Sequence, residues 1–348
     1  MMGNGKKIKG RDTKGTEKRS AFDLGTTLDI RGALKQGIAQ LRDAQVPSYT
    51  LAAELLLLHV LGRDRTWIYS HPEQEIVAPV AERYSELVRR RAAGEPTQHL
   101  TGRQEFWGLE FEVTPDVLIP RPETEHVIEV ALDRLASREL RAGRRQKTDG
   151  AGLRIADIGT GSGCIAIALA KELPRAAFVA TDIAPAALAV ARGNASRHGV
   201  ANRVHFLEAD LLDNVSLTAA QHAAPLPSTI AWENSSNETQ VSDEPPSFDL
   251  IISNPPYVGR REAATLMREV REHEPEIALY GGEEGHELYA YLIAQSAKYL
   301  LPHGILVLEL GHNSLPAVQP LLDESTWTKV GVTNDLAGTP RVLAAEKL

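Results

Sequence analysis

The chain contains 348 residues, carries a formal net charge of −8 and has a single cysteine, Cys164. Its length is sufficient for one large domain with a smaller one beside it. The acidic balance argues against bulk binding to a nucleic-acid backbone, which requires clustered Lys and Arg. A single cysteine excludes an internal disulfide, as is typical of proteins in a reducing cytoplasm. The sequence has no apolar run of about 18 residues, so no membrane span is predicted. The 11 histidines are scattered without the spacing of a metal site, so no metal is expected.

The N-terminal part of the chain divides into a polar arm and a helical domain. Residues 1–28 are basic and glycine-rich with few apolar positions. This composition predicts a disordered arm, either a solvated tail or a contact for RNA. Residues 29–100 repeat apolar side chains with the helical period, as in Leu34, Ile38 and Leu41. The pattern predicts a small helical bundle that docks a substrate or serves as a packing module.

A hairpin is predicted next, over residues 101–121. Apolar side chains alternate along this segment as in a strand, from Phe106 to Ile119. Pro122 then stands where a helix would begin, with acidic residues in its first turn. Arg121, just before it, either reaches a ligand or forms an ion pair at the helix end, and the sequence favours neither reading.

A strand, a glycine turn and a helix follow one another from residue 153. The apolar segment 153–158 leads into Gly159-Thr160-Gly161-Ser162-Gly163, and the apolar segment 164–170 follows as a helix. This order is typical of the nucleotide-binding end of a doubly wound sheet, although the spacing is not the G-x-G-x-x-G that seats a pyrophosphate. A second strand, 177–182, ends at Asp182, where an acid suits the two hydroxyls of a ribose.

The tetrapeptide Asn254-Pro255-Pro256-Tyr257 comes directly after the apolar segment 248–253. The side-chain oxygen of Asn254 and the backbone carbonyl of Pro255 are two acceptors that can take both hydrogens of one amide or exocyclic amine. Proline restricts φ and stiffens the turn, and Tyr257 can lie against a flat group. The alternative is an ordinary Pro-Pro turn after a strand.

The second half of the chain alternates strands and helices, which predicts an α/β fold with a seven-stranded doubly wound sheet. An acidic stretch without Lys or Arg, 214–247, interrupts the alternation and is interpreted as a disordered insertion. The predicted strands are 153–158, 177–182, 203–208, 248–253, 304–310, 327–333 and 341–346.

These motifs resemble those of the class I S-adenosylmethionine-dependent methyltransferases: Asp157 to Gly161, Asp182, and the Asn254-to-Tyr257 box. Within that class, the chain resembles the protein N5-glutamine methyltransferases that modify peptide-chain release factors. The stretches Glu105–Gly108, Leu118–Glu125 and Ala278–Gly285 carry this narrower resemblance, which extends over roughly residues 30–346. The box is shared with DNA adenine methyltransferases, so Pro120–Glu125 is the more discriminating element.

The resemblance implies a Rossmann-like methyltransferase domain over residues 122–348, with the last two strands antiparallel at the sheet edge. It implies S-adenosyl-L-methionine as the cofactor and class 1 peptide chain release factors as the partners, in the cytoplasm, without membrane or direct DNA binding. The implied cofactor-binding residues are Asp157, Ile158, Gly159, Thr160, Gly161, Asp182 and Asn254. The implied catalytic residues are Asn254, Pro255 and Tyr257, and Pro256 joins them in substrate binding.

Three alternatives share parts of this pattern. A glutamine methyltransferase acting on a ribosomal protein would have the same box but normally lacks Pro120–Glu125. A DNA adenine N6-methyltransferase would require a target-recognition domain and a basic cleft for a flipped base. The third alternative is a catalytically inactive RNA- or ribosome-binding module, against which the intact box argues.

Overall fold

The computed structural model describes residues 28–141, 149–213 and 247–348. The predicted basic arm and the predicted insertion therefore lie outside the described residues, apart from Leu28 and Ser247 at their edges. Contacts divide the chain into two compact units, Met1–Ala93 and Gly94–Leu348. In the part of the chain that is described, no helix combines the length and apolar character needed to cross a membrane.

The first unit is built from helices, as the 3.6-residue period predicts. A short antiparallel pair of strands, β1 (Leu28–Asp29) and β2 (Glu75–Ile76), joins the segment before the first helix to the segment before the last. The first helix begins after Asp29 because that side chain accepts a hydrogen bond from the backbone N–H of Gly32 at 2.7 Å. The helices are α1 (Ile30–Asp43), α2 (Tyr49–Leu61), α3 (Arg65–Ser70) and α4 (Ala78–Ala92).

A close approach between α1 and α4 fixes the packing of this unit. Tyr84 is fully buried, and its hydroxyl donates to the backbone carbonyl of Ala53 at 3.2 Å. A Cβ on Gly37 would lie 2.1 Å from that hydroxyl oxygen. Only glycine at this position therefore lets the two helices pack as they do.

The second unit begins with α5 (Thr97–Thr101) and the hairpin of β3 (Arg103–Phe106) and β4 (Leu109–Glu112). The predicted alternation runs on to Ile119, but the second strand ends at Glu112, so this extension of the hairpin is wrong. Val113 and Val117 are buried without belonging to a strand, because they pack against Ala187 in a small cluster of their own. A 3-10 turn, Pro122–Thr124, then leads into α6 (Glu125–Arg141).

The remainder forms the predicted sheet. Its strands are β5 (Arg154–Ile158), β6 (Ala177–Asp182), β7 (Val204–Glu208), β8 (Phe248–Ser253), β11 (Leu300–Glu309), β12 (Trp327–Asn334) and β13 (Pro340–Lys347). A separate parallel pair consists of β9 (Val258–Gly259) and β10 (Tyr280–Gly282). The helices are α7 (Cys164–Glu172), α8 (Pro185–Arg197), α9 (Arg268–His273), α10 (Glu276–Leu279), α11 (Glu287–Tyr299) and α12 (Leu315–Val318).

The sheet order is β12-β13-β11-β8-β5-β6-β7, parallel except for β13, which is antiparallel to both of its neighbours. The predicted seven-stranded doubly wound fold and its antiparallel edge are confirmed. Strand order reverses between β5 and β8, and ligands of such sheets bind at this switch point, beyond the carboxyl ends of the strands. Each face carries its own core, since side chains alternate along a strand. Ile155 and Val307 pack on one face, and Ile158 and Leu308 on the other.

Gly37→Ala is expected to destabilise the helical unit, because the new Cβ would overlap a buried and hydrogen-bonded tyrosine. Overpacking of this kind costs about 1–3 kcal/mol. Gly193→Ala is the control, because Gly193 is an exposed glycine in α8 whose Cβ would meet no described atom within 4 Å. It should leave stability unchanged or raise it by up to about 1 kcal/mol. Urea unfolding measures both variants, and equal midpoints would contradict the close approach.

Candidate active site

Two chain segments meet at the carboxyl edge of the sheet. In the parallel pairing of β5 with β8, Ile158 lies opposite Ser253. The hydroxyl of Ser253 donates to the carbonyl oxygen of Ile158 at 2.7 Å, which ties the two strand ends together. Gly159 and Asn254, the next residues along each strand, therefore emerge side by side. The glycine turn and the Asn254-to-Tyr257 box belong to one site.

The glycine turn lines a cavity of about 260 Å³ beyond this edge. Gly159 and Gly161 have φ of 70° and 55°, a region that side chains disfavour. A Cβ on either glycine would meet no described atom within 4 Å, so both leave open space on the cavity side. The backbone of the turn is therefore accessible to a ligand in the cavity.

Asp182, at the end of β6, faces the same cavity. Its Oδ2 accepts the backbone N–H of Gly161 and its Oδ1 accepts that of Ala184, both at 2.9 Å. A carboxylate has about four lone-pair sites, so each oxygen retains acceptor capacity after these bonds. The carboxylate both supports the glycine turn and presents negative charge to the cavity.

Asp157 lies beneath the turn and is fully buried. Its Oδ2 accepts from the hydroxyl of Thr160 at 2.6 Å and from the N–H of Ala166 at 3.1 Å, whereas its Oδ1 has no hydrogen-bond partner among the described residues. Burial raises the pKa of this carboxyl to about 7, against the opposing effect of the two hydrogen bonds. Asp157, Ile158 and Thr160 do not line the cavity, unlike Gly159, Gly161, Asp182 and Asn254.

Several residues of the cavity wall carry no motif, and sequence reasoning missed them. Asp210 and Leu211 follow β7 and also line the cavity, and their place after a strand end is the signal by which they can be found. Ile183 follows Asp182 directly and is 47% exposed, an unusual exposure for a residue next to a buried strand. The wall residues that were missed are Asp116, Val117, Ile183, Ala184, Ala187, Ile277 and Leu288, whereas Leu118, Ala278 and Tyr280 belong to stretches that carry the family resemblance.

A second cavity, of about 190 Å³, adjoins the first. Pro255 and Tyr257 line the second cavity and Pro256 lines the first, whereas Asn254 lines both. The Nδ2 of Asn254 donates to the hydroxyl oxygen of Thr124 at 3.0 Å. Its Oδ1 is inaccessible to solvent and has no hydrogen-bond partner within the described part of the chain. An acceptor without a partner, on a residue that lines both cavities, is a candidate for an N–H donor from a ligand.

The hydroxyl of Tyr257 is engaged within the protein. It donates to Oε1 of Glu309 at 3.2 Å. Glu309 is 1% exposed, and burial raises the pKa of its carboxyl to about 7. Burial also raises the pKa of the Tyr257 hydroxyl, with the charge of Glu309 as a further cause. Tyr257 therefore offers the flat side of its ring to the second cavity while its hydroxyl remains protonated.

An ion pair fastens the opposite wall of the second cavity. Arg121 pairs with Glu274, which also accepts the backbone N–H of Ile119 at 3.2 Å. Burial raises the pKa of Glu274, and its interactions with Arg121 oppose that rise. Of the two readings of Arg121, the ion pair is present, and Arg121 also lines the second cavity.

The backbone of the loop 281–285 packs directly against the backbone of the Asn254-to-Tyr257 box. A Cβ on Gly281 would lie 2.2 Å from the carbonyl oxygen of Pro256, and one on Gly285 would lie 2.4 Å from that of Tyr257. The parallel pairing of β9 with β10 continues this contact. The glycines of this loop are thus required by the close approach, which holds the box in place.

Comparison with known proteins identifies both parts of the chain. Residues 32–102 match the family model described as the PrmC N-terminal domain, and residues 149–275 match a methyltransferase domain. These matches support the methyltransferase class that the motifs indicate.

Relatives align along almost the whole chain. A release factor glutamine methyltransferase of Koribacter versatilis is 39% identical over 321 residues, which cover 92% of this chain and 99% of that protein. Proteins of the same name from Nitratidesulfovibrio vulgaris and Bradyrhizobium diazoefficiens are both 37% identical and cover 91% and 93% of this chain, and 95% and 96% of their own lengths. The chain therefore belongs to the release factor glutamine methyltransferase family.

Proposed function

We propose that this protein methylates the side-chain amide nitrogen (N5) of the glutamine in the Gly-Gly-Gln motif of class 1 peptide chain release factors, with S-adenosyl-L-methionine as the methyl donor. The observation that carries the proposal is Asn254, which lies at the junction of two cavities with an unsatisfied acceptor. One cavity would hold the cofactor and the other the glutamine side chain. The reaction would take place in the cytoplasm, together with translation termination.

The residues of the first cavity fit this cofactor. Gly159 and Gly161 leave the backbone open, and the carboxylate of Asp182 has lone pairs left for the two ribose hydroxyls. Ile183 and Leu211 offer apolar surface to a flat base. Asp157, Ile158 and Thr160 would support the turn from below. When bound, S-adenosylmethionine supplies a methyl group activated by a positively charged sulfur.

The task of the protein is then to orient the glutamine amide. Its nitrogen lone pair is delocalised into the carbonyl group, so the free amide is a poor nucleophile. Oδ1 of Asn254 and the carbonyl of Pro255 would accept both N–H hydrogens and turn the nitrogen toward the first cavity. Orientation of this kind can account for several kcal/mol of the barrier, up to about 7–11 kcal/mol. Because both acceptors are neutral, the amide is positioned without being deprotonated in advance.

The remaining walls would hold the rest of the acceptor. The ring of Tyr257 would lie against the planar amide, and the ion pair of Arg121 with Glu274 would keep the opposite wall in place. The helical domain proposed for residues 29–100 would dock a second surface of the release factor. A whole factor should therefore be a better substrate than a peptide of its loop.

Asp182→Ala should weaken cofactor binding, since it removes a charged acceptor worth about 1.5–3 kcal/mol, roughly 10- to 150-fold in affinity. Calorimetry with S-adenosylmethionine measures this. Glu208→Gln is the matched control, because Glu208 lies opposite Asp182 on the neighbouring strand but outside the cavity wall. Equal affinity of Asp182→Ala and the wild type would mean that the ribose lies elsewhere.

Asn254→Ala should reduce turnover more than cofactor affinity, because the lost acceptor acts on the reacting amide. By analogy with the loss of one hydrogen-bonding group from an oxyanion hole, we expect kcat to fall on the order of 10²-fold. Asn254→Asp retains an acceptor but adds charge beside the cofactor, so its activity should also fall. Wild-type turnover by Asn254→Ala would rule out the role assigned to the box.

The acceptor is tested by incubating the protein with labelled cofactor and one candidate substrate at a time. We expect label on the Gly-Gly-Gln glutamine of a class 1 release factor, located by mass spectrometry, and none on adenine-containing DNA. Label on a ribosomal protein but not on a release factor would favour the first alternative. Cofactor binding without any transfer would favour an inactive binding module.

A further inference from the structure

The side-chain amide of Asn254 forms a hydrogen bond with a residue that has no role in the proposed function. Its Nδ2 donates to the hydroxyl oxygen of Thr124 at 3.0 Å. Thr124 is 2% exposed and ends the 3-10 turn Pro122–Thr124. It lies in the wall of neither cavity. Thr124 therefore acts on a ligand only through other side chains, of which Asn254 is the one that lines both cavities.

Glu309 continues this chain of hydrogen bonds. Its Oε1 accepts the hydroxyl of Tyr257 at 3.2 Å, whereas its Oε2 is buried without a hydrogen-bond partner among the described residues. The hydroxyl of Thr124 interacts with this carboxyl and lowers its pKa. Glu309 also lies in the wall of neither cavity. A buried carboxylate requires hydrogen-bond donors near it. The Tyr257 hydroxyl is one, and the Thr124 hydroxyl is a second donor beside the carboxyl.

The direction in which the Thr124 hydroxyl donates its single proton decides which way the Asn254 amide points. A hydroxyl has one proton to donate and two lone pairs. When Thr124 gives its proton to the Glu309 carboxylate, it can only accept from Asn254. The amide must then present its NH₂ group to Thr124 and its Oδ1 on the opposite side. That Oδ1 is the acceptor without a partner among the described residues.

We propose that Thr124 and Glu309 are positioning residues that orient the Asn254 amide, so that its Oδ1 faces the acceptor. With a protonated Glu309 or without the Thr124 hydroxyl, the amide is free to turn over and would present NH₂ to the substrate NH₂. Two donors cannot hydrogen-bond to each other. The inference rests on the proposed function for its consequence in catalysis, but the coupling between the three side chains is independent of the substrate.

The ionisation of Glu309 falls in an accessible pH range, because burial raises its pKa to about 7. Other charged or titratable groups face it from the elements packed around it. Its pKa is lowered by the charge of Arg341 on β13 and raised by that of Glu123. Tyr289 of α11 donates to its backbone carbonyl at 2.8 Å. Since the ionised form orients Asn254, kcat should rise with pH through about 7.

Thr124→Val and Thr124→Ser form the matched pair for the first test. Valine has the same shape without the hydroxyl, and serine retains the hydroxyl. With a release factor as substrate, we expect Thr124→Val to lower kcat by about 10- to 100-fold, while KM for the cofactor changes little. Thr124→Ser should restore most of the rate. Equal rates for valine and wild type, or equal losses in both variants, would refute the proposal.

The pH profile of kcat separates Glu309 from Asp157, whose pKa burial also raises to about 7. Glu309→Gln cannot ionise, so the acidic limb of the profile should disappear. A limb that persists in Glu309→Gln belongs to another group and contradicts the role of Glu309.

A spectroscopic test applies whatever the acceptor proves to be. In protein containing isotope-labelled asparagine, the side-chain NH₂ signals of Asn254 are identified by their absence in Asn254→Asp. We expect these signals to titrate near the pKa of Glu309, about 7, in the wild type and to be independent of pH in Glu309→Gln and Thr124→Val. If the Asn254 NH₂ signals of the wild type do not change with pH, the coupling of Asn254 to Glu309 is refuted. Failure to methylate a release factor, with the titration intact, would instead count against the proposed function alone.

Discussion

The pairing of β5 with β8 is the constraint on which the site depends. The register sets Ile158 opposite Ser253, and the Ser253 hydroxyl closes the pair with a hydrogen bond of 2.7 Å. Because side chains alternate between faces, a slip of one residue would turn the side chains of the slipping strand, Asp157 on β5 or Ser253 on β8, to the other face of the sheet. With the register in place, the glycine turn and Asn254 necessarily leave the same edge. A cavity for each of two ligands then forms around one shared side chain.

Two buried carboxyl groups lie directly below that edge, although burying an ionisable group lowers the stability of a core. Burial raises the pKa of Asp157 and of Glu309 to about 7, from ordinary values of 3.8 and 4.5. Each carboxyl therefore favours the folded state most when both states are protonated, below its unfolded pKa. This contribution is lost as the pH rises through about 7. Both carboxyls lie beneath the glycine turn and the box. Their position indicates that they support the site, at some cost in the stability of the fold.

The second cavity is assembled from segments far apart in the chain. Glu274 binds both Ile119 and Arg121, so the segment before the 3-10 turn is fastened to the end of α9. On the other side, Gly281 and Gly285 bring their loop into backbone contact with the box. Both contacts act on the walls and leave Asn254 free to face the cavities. A rigid frame of this kind lets a small number of polar groups set the geometry of a bound amide.

The sequence by itself determined the class of sheet, the glycine turn and the box, because each of these is a local pattern of strand, turn and helix. It also located Asp182 and Asn254 at strand ends, where parallel pairing brings residues to a common edge. It could not separate the residues that line the cavity from Asp157, Ile158 and Thr160, since alternation and burial decide that. It singled out Pro120–Glu125, which contains Thr124, but could not show that Thr124 contacts Asn254, 130 positions away, or that Glu309 contacts Tyr257, 52 positions away. Contacts across such separations leave no local signal, and only the packing of the folded chain creates them.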